Sequence, residues 1–301
     1  MPAPAGSHWK AYAALFGGVL ILGLSAILTR LADAPGSVVS LYRMAIGTLV
    51  LAIPFVYRLR RSQHRITSRG LWLAALAGFF FALDLASWAT GINLAGATIP
   101  TLLGNMAPLW VGLGAWLLFK EKLHVGFWIG LAVALAGVLA VLNLDFTQGL
   151  EFNSGAIFGM LSAFFYGSYL LTAQKGRDDL DALSFFWIAA LGSTVTLLVL
   201  AFLLQDPLVG YSASSYLTFL ALGVIVQGGA WMAINFAQGY LPASVLAPTL
   251  LIQPVLTAFL AGPLLGESFT WQQWLGGAAV LLGIIIVYRS RQLRRLVAKN
   301  L

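Results

Sequence analysis

The chain has 301 residues, of which 60% are apolar and only 9% charged, with a mean hydropathy of +0.89, a formal net charge of +7 and no cysteine. That composition excludes a soluble globular domain, and the missing cysteine excludes disulfides, thiol chemistry and thiolate metal sites. The surplus cations sit between long apolar runs, which points to an anionic membrane face rather than to nucleic acid.

Runs long enough to cross a bilayer, about 20 residues each, occur at 10–30, 37–57, 71–92, 97–119, 124–143, 153–174, 182–204, 214–238, 243–265 and 270–288. They are uniformly apolar and too long for transmembrane strands, so all ten read as helices. The first continues to full spanning length without a small-residue cleavage site and reads as a span, not a signal peptide. With the N terminus inside, 15 of the 17 Lys and Arg residues fall on the inner side, Arg30 and Arg43 being the exceptions. The basic-loop rule therefore predicts two cytoplasmic termini.

Along the chain, span two carries Arg43 and span three carries Phe81, Asp84, Leu85 and Trp88 on one helical face. At 1.5 Å per residue, Arg43 lies roughly 9 Å and Asp84 roughly 12 Å inside the outer ends of their spans, close enough in depth for an ion pair. Charges at such depth are costly unless they face a partner or a polar cavity, so Asp84 is a candidate for substrate or proton handling. Span four holds Pro100, Thr101, Asn105 and Pro108; span six holds Phe165, Tyr166 and Tyr169; span eight holds Gln227, Trp231, Asn235 and Gln238; span nine holds Pro248, Gln253, Pro254 and Pro263. Amides facing lipid would be left unsatisfied, so they point inward, either into a cavity or across a helix interface. Each proline removes a backbone donor, so breaks are expected in spans four and nine at Pro100 and Pro108, and at Pro248 and Pro254. Glycines and alanines in spans five and ten suit close scaffold packing. Trp9, Trp72, Trp271 and Tyr288 read as interfacial anchors.

The chain also repeats itself. Pro108, Glu121, Trp128, Gly130 and Gly137 recur 146 positions later as Pro254, Glu267, Trp274, Gly276 and Gly283. Earlier, Gly23, Leu28 and Thr29 align at an offset of 144 with Gly167, Thr172 and Ala173. Two halves of five spans follow, 1–151 and 152–301. Because five is odd, the second half enters the membrane upside down, giving an inverted repeat around a central cavity.

The segment from Asn105 through Pro108 to Phe119-Lys-Glu-Lys, then Trp128 and Gly130, repeated as Ile252-Gln-Pro-Val, Leu265-Gly-Glu-Ser, Trp274 and Gly276, resembles the twin signature of the drug/metabolite transporter superfamily, in its ten-span EamA form. The resemblance covers essentially the whole chain and looks closest to bacterial aromatic amino-acid exporters. It implies an all-α inner-membrane secondary transporter that works by alternating access without a cofactor or metal. Proton coupling is an option. The residues expected to line the substrate path are Phe81, Asp84, Trp88, Asn105, Tyr166, Tyr169, Gln227, Trp231, Asn235 and Gln253, for a small amphipathic metabolite. Other amino acids or cationic drugs are the alternative cargo.

Other classes lack parts. Within the membrane no Cys, no His and no pair of adjacent carboxylates is available for an enzyme. Paired prolines favour alternating access over a passive pore, and no nucleotide-binding loop supports ATP-driven pumping.

Overall fold

The computed structural model describes residues 6–61, 66–95, 98–142, 154–265 and 270–299, and all regular structure in them is helical. The first half comprises α1 (Gly6–Leu31), α2 (Gly36–Arg61), α3 (Ser68–Ala95), α4 (Thr98–Gly104), α5 (Ala107–Phe119) and α6 (Val125–Val141). The second comprises α7 (Ser154–Asp179), α8 (Ala182–Leu204), α9 (Ala213–Ala221), a π-helical segment (Leu222–Trp231), α10 (Met232–Gln238), α11 (Ala243–Leu250), α12 (Ile252–Leu265) and α13 (Trp271–Lys299). Nine stretches among the described residues are long and apolar enough to cross a membrane. The tenth expected span, α6, is an apolar helix of 17 residues, shorter than the others.

Local chemistry sets several ends. His124 caps α6 by accepting from the Gly126 amide, Asp181 caps α8 by accepting from Leu183 and Ser184, and Ser212 caps α9 by accepting from Ser215. Pro108 stands in the first turn of α5, where a missing amide costs nothing.

The helices pack in sets related by exchange of the two halves. α1 lies against α12 as α7 lies against α5, and α1 meets the π segment and α10 as α7 meets α3. The pairs α2 with α8, and α6 with α13, are their own counterparts. Individual contacts repeat as well. A Cβ on Gly23 would lie 2.7 Å from the Leu256 Cβ, and one on Gly167, its repeat mate, 2.9 Å from the Trp110 Cβ. In the α6–α13 seam, a Cβ on Gly130 or on Gly137 would lie 2.6 Å from the carbonyl oxygen of Gly283 or of Gly276, respectively. Position rises along one helix as it falls along the other, so the two run antiparallel with their backbones in contact.

Most of the buried side chains form one core around Phe81, Tyr169, Phe185, Phe219 and Trp231, and a smaller cluster fills the α6–α13 seam around Phe127, Leu131, Val280 and Ile284. The outside is apolar too, with Ile53 78% and Leu203 74% exposed, which suits hydrocarbon and would be unfavourable in water. Trp9, Trp72 and Trp271 are exposed as interfacial anchors would be. Tyr288 is not: its hydroxyl lies 3.0 Å from that of Thr249 and its ring packs at a tilt on Tyr12.

Candidate functional site

Two broken spans define the site. Span four is interrupted between Gly104 and Ala107, and span nine at Leu251. Each interruption precedes a proline of the duplicated pair, Pro108 and Pro254, because a proline cannot donate to the preceding turn and disfavours a helical residue before it. Pro100 and Pro248 do not break their helices, contrary to expectation. Pro100 lies in the first turn of α4, where no intrahelical donor is missed, and packs on Gly91 and Gly159. Pro248 stays within the eight residues of α11. The breaks face one another across a small cavity lined from the first half by Gly104, Asn105 and Pro108 and from the second by Tyr166, Leu251 and Gln253. It is small, with room for water and for no amino acid.

Beside the cavity lies a buried polar and aromatic cluster. Arg43 donates from Nε and Nη2 to Gln227 Oε1, each at 3.2 Å. Gly47, one turn further along α2, makes this approach achievable: a Cβ there would be 2.7 Å from the Gln227 Cγ. Gly223 does the same from the π segment, where a Cβ would meet the Ile46 Cβ at 2.4 Å. The Asp84 carboxylate accepts from Ser162 Oγ at 2.6 Å. Arg43 and Asp84, close enough in depth to pair, make no contact ion pair here, and each is hydrogen-bonded to a separate neutral partner.

Tyr169 stacks on Phe81 with centroids 4.5 Å apart, and Trp231 meets Phe81 at 4.7 Å and Tyr169 at 5.6 Å, edge to face. Tyr166 stands 6.1 Å from Trp231, edge to face, and shares the cavity wall with Gln253. Asn235 Nδ2 donates at 2.9 Å both to the Tyr169 hydroxyl and to the Trp231 carbonyl. Trp88 Nε1 donates to Thr101 at 3.1 Å, and Asn105 Nδ2 to the Thr101 carbonyl at 2.8 Å.

Of the ten residues expected to line a substrate path, Asn105, Tyr166 and Gln253 line the described cavity. Phe81, Tyr169, Trp231, Gln227 and Asn235 are instead packed together, because the rings fill against one another the space that was expected to be open. Asp84 and Trp88 stay on the α3 face toward Ser162 and Thr101.

The sequence reading missed two features. One is the π segment, whose only local signal is the pair Gly228-Gly229. The other is a set of bonds at the inner end, as the basic loops predict that end. Arg177 donates to the Asn235 carbonyl at 2.9 Å and to the Leu180 carbonyl, and Gln174 Oε1 accepts from the Ala243 amide at 2.6 Å. Ser244 donates to Glu121 at 2.7 Å, Arg58 pairs with Asp181 at 3.1 Å, and Arg69 with Asp179 at 3.5 Å, so each of these three ties the first half to the second. At the opposite end Ser37 donates to Asp206 and Tyr42 to the Leu208 carbonyl. Among the described residues no group of three potential metal ligands assembles.

A crystal structure superposes on this one with a TM-score of 0.79 over 92% of this chain and 96% of the other, at 18% identity, which establishes the fold alone. The uncharacterized transporter YdfC of Bacillus subtilis is 25% identical over 253 residues, covering 83% of this chain and 80% of that one. An uncharacterized transporter of Archaeoglobus fulgidus is 26% identical over 279 residues, covering 92% and 96%. The model of the EamA-like transporter family matches twice, at residues 9–143 and 153–289. An all-helical membrane chain matched over both halves by that model belongs to the EamA-like transporter family.

Proposed function

We propose that this transporter exports a small amphipathic metabolite, with aromatic amino acids as the leading cargo, by alternating access of two inverted five-helix halves. The observation that carries the reading is the matched pair of helix breaks, at Asn105–Met106 and at Leu251, facing each other across a cavity to which both halves contribute. Broken helices with freed backbone groups at a repeat interface are where secondary transporters of this design hold substrate. The exchange-related packing and the antiparallel α6–α13 seam support the inversion. Phe81, Tyr169, Trp231 and Tyr166 would part to stack on an aromatic side chain, and the amides beside them would take its polar end. A second reading, export of cationic compounds, draws on the buried carboxylate of Asp84.

Counterflow in proteoliposomes with labelled phenylalanine, threonine and an organic dication tests both. Exchange of phenylalanine well above threonine and dication is expected. Exchange of the dication alone would replace the first reading with the second.

A further inference from the structure

The Arg43–Gln227 pair carries an excess of hydrogen-bond donors. A guanidinium only donates, so it fixes the Gln227 amide with Oε1 turned toward it and Nε2 turned away. That Nε2 is fully buried and has no partner, and neither has Trp231 Nε1, four residues on. All of the hydrogen bonds of Arg43 go to the single Oε1 of Gln227, although a guanidinium offers five N–H groups. No carboxylate of the described residues comes within 4.0 Å of it, and the nearby acid, Asp84, is held by Ser162. Further along the same helical run the imbalance reverses: the oxygens Asn235 Oδ1, about one turn past Trp231, and Gln238 Oε1, about two turns past it, are buried without donors.

Buried donors without acceptors and a buried cation with no anion in hydrogen-bond contact call for the same complement, a planar group with two negatively charged oxygens. We infer that Arg43, Gln227 Nε2 and Trp231 Nε1 form the subsite for a substrate carboxylate. The nearer of these acceptors, Asn235 Oδ1, suits an ammonium, so the ligand class is a small zwitterionic or carboxylate-bearing metabolite, not a cation. The subsite rests on the transporter reading above and selects among its cargoes.

The test compares paired probes on the full chain in nanodiscs by isothermal titration: phenylalanine against phenethylamine, and leucine against isoamylamine. Each pair differs by the carboxylate. The wild type should prefer the acid-bearing member by about tenfold or more. Arg43→Gln should bring that ratio close to one. Gln227→Glu, which gives Arg43 an internal anion and keeps the site satisfied, should do the same by occupying the subsite. A purely structural Arg43–Gln227 bond would shift the unfolding midpoint in both variants and leave the ratio alone, and that result overturns the inference. So does a wild type that binds amine and amino acid equally, even if both are transported, in which case the transporter reading stands without this subsite. Acid preference for leucine but no binding of phenylalanine would remove the aromatic cargo and keep the subsite.

Discussion

Gly283→Ala is the sharpest probe of the α6–α13 seam. The added Cβ would stand 2.5 Å from the Ala134 amide nitrogen and from the Gly130 carbonyl oxygen, where 3.4 Å is ordinary contact, so the shortfall is 3.4 − 2.5 = 0.9 Å. Both obstacles are backbone and neither can rotate away, so the helices must separate along their whole contact. Overpacking costs about 1–3 kcal/mol, and an obstacle of this kind belongs at about 3. Against that, alanine in a helix gains about 1 kcal/mol over glycine, leaving a net loss of about 2 kcal/mol. Gly17→Ala is the control, since nothing lies within 4 Å of its Cβ, and it should gain stability by up to about 1 kcal/mol. The double variant Gly130→Ala/Gly283→Ala should cost less than twice the single loss, because helices parted for one methyl admit the other. Unfolding in mixed micelles, followed by tryptophan fluorescence, reads the seam through Trp128, which packs against it. If Gly283→Ala were as stable as Gly17→Ala, the close backbone contact would not exist and the antiparallel seam would lose its basis.

Asp84→Asn should abolish the dependence of export on a pH gradient while counterflow continues, and gradient dependence that survives the substitution would remove Asp84 from proton handling. The Asp181 carboxyl is pushed up by burial but held below the ordinary carboxylate range by the hydrogen bonds from Ser184 and Leu183 and by Arg58. Its folded-state value is thus below the unfolded one, so its contribution is complete above about pH 4 and is lost as pH falls through the lower folded value. Asp181→Ala should cost about 1 kcal/mol at neutral pH by removing the cap of α8, and Asp181→Asn, which still caps, should cost less and flatten the acid limb of a stability–pH curve. Because the chain has no native cysteine, Ser62→Cys should react with an impermeant maleimide only from the cytoplasm and Val209→Cys, 73% exposed, only from outside. Labelling of both from one side would defeat the proposed orientation.

How the sequence and the tertiary structure divide the account follows from the range of the forces involved. Whether a run such as 37–57 or 182–204 forms an apolar helix depends on its own composition, so the spans were legible residue by residue, with α2 and α8 within a few positions of the expected bounds. Breaks ahead of Pro108 and Pro254 were legible for the same reason, as a proline acts on its own turn. Pro100 and Pro248 show the limit, because whether a missing donor matters depends on where in the helix it falls. The partners of Arg43 and Asp84 were not legible. Gln227 lies 184 positions from Arg43 and Ser162 lies 78 from Asp84, and only the packing of α2 on the π segment and of α3 on α7 chooses those neutral groups over an ion pair. The π segment itself shifts the hydrogen-bond register over ten residues, a change that no side chain in it demands; Gly47 and Gly223, by letting α2 close upon it, place Gln227 against Arg43. The sequence thus determined which stretches enter the membrane and where two of them break, and the tertiary structure alone decided which buried polar atoms meet and which are left unpaired, because hydrogen bonds between distant helices leave no trace in local composition.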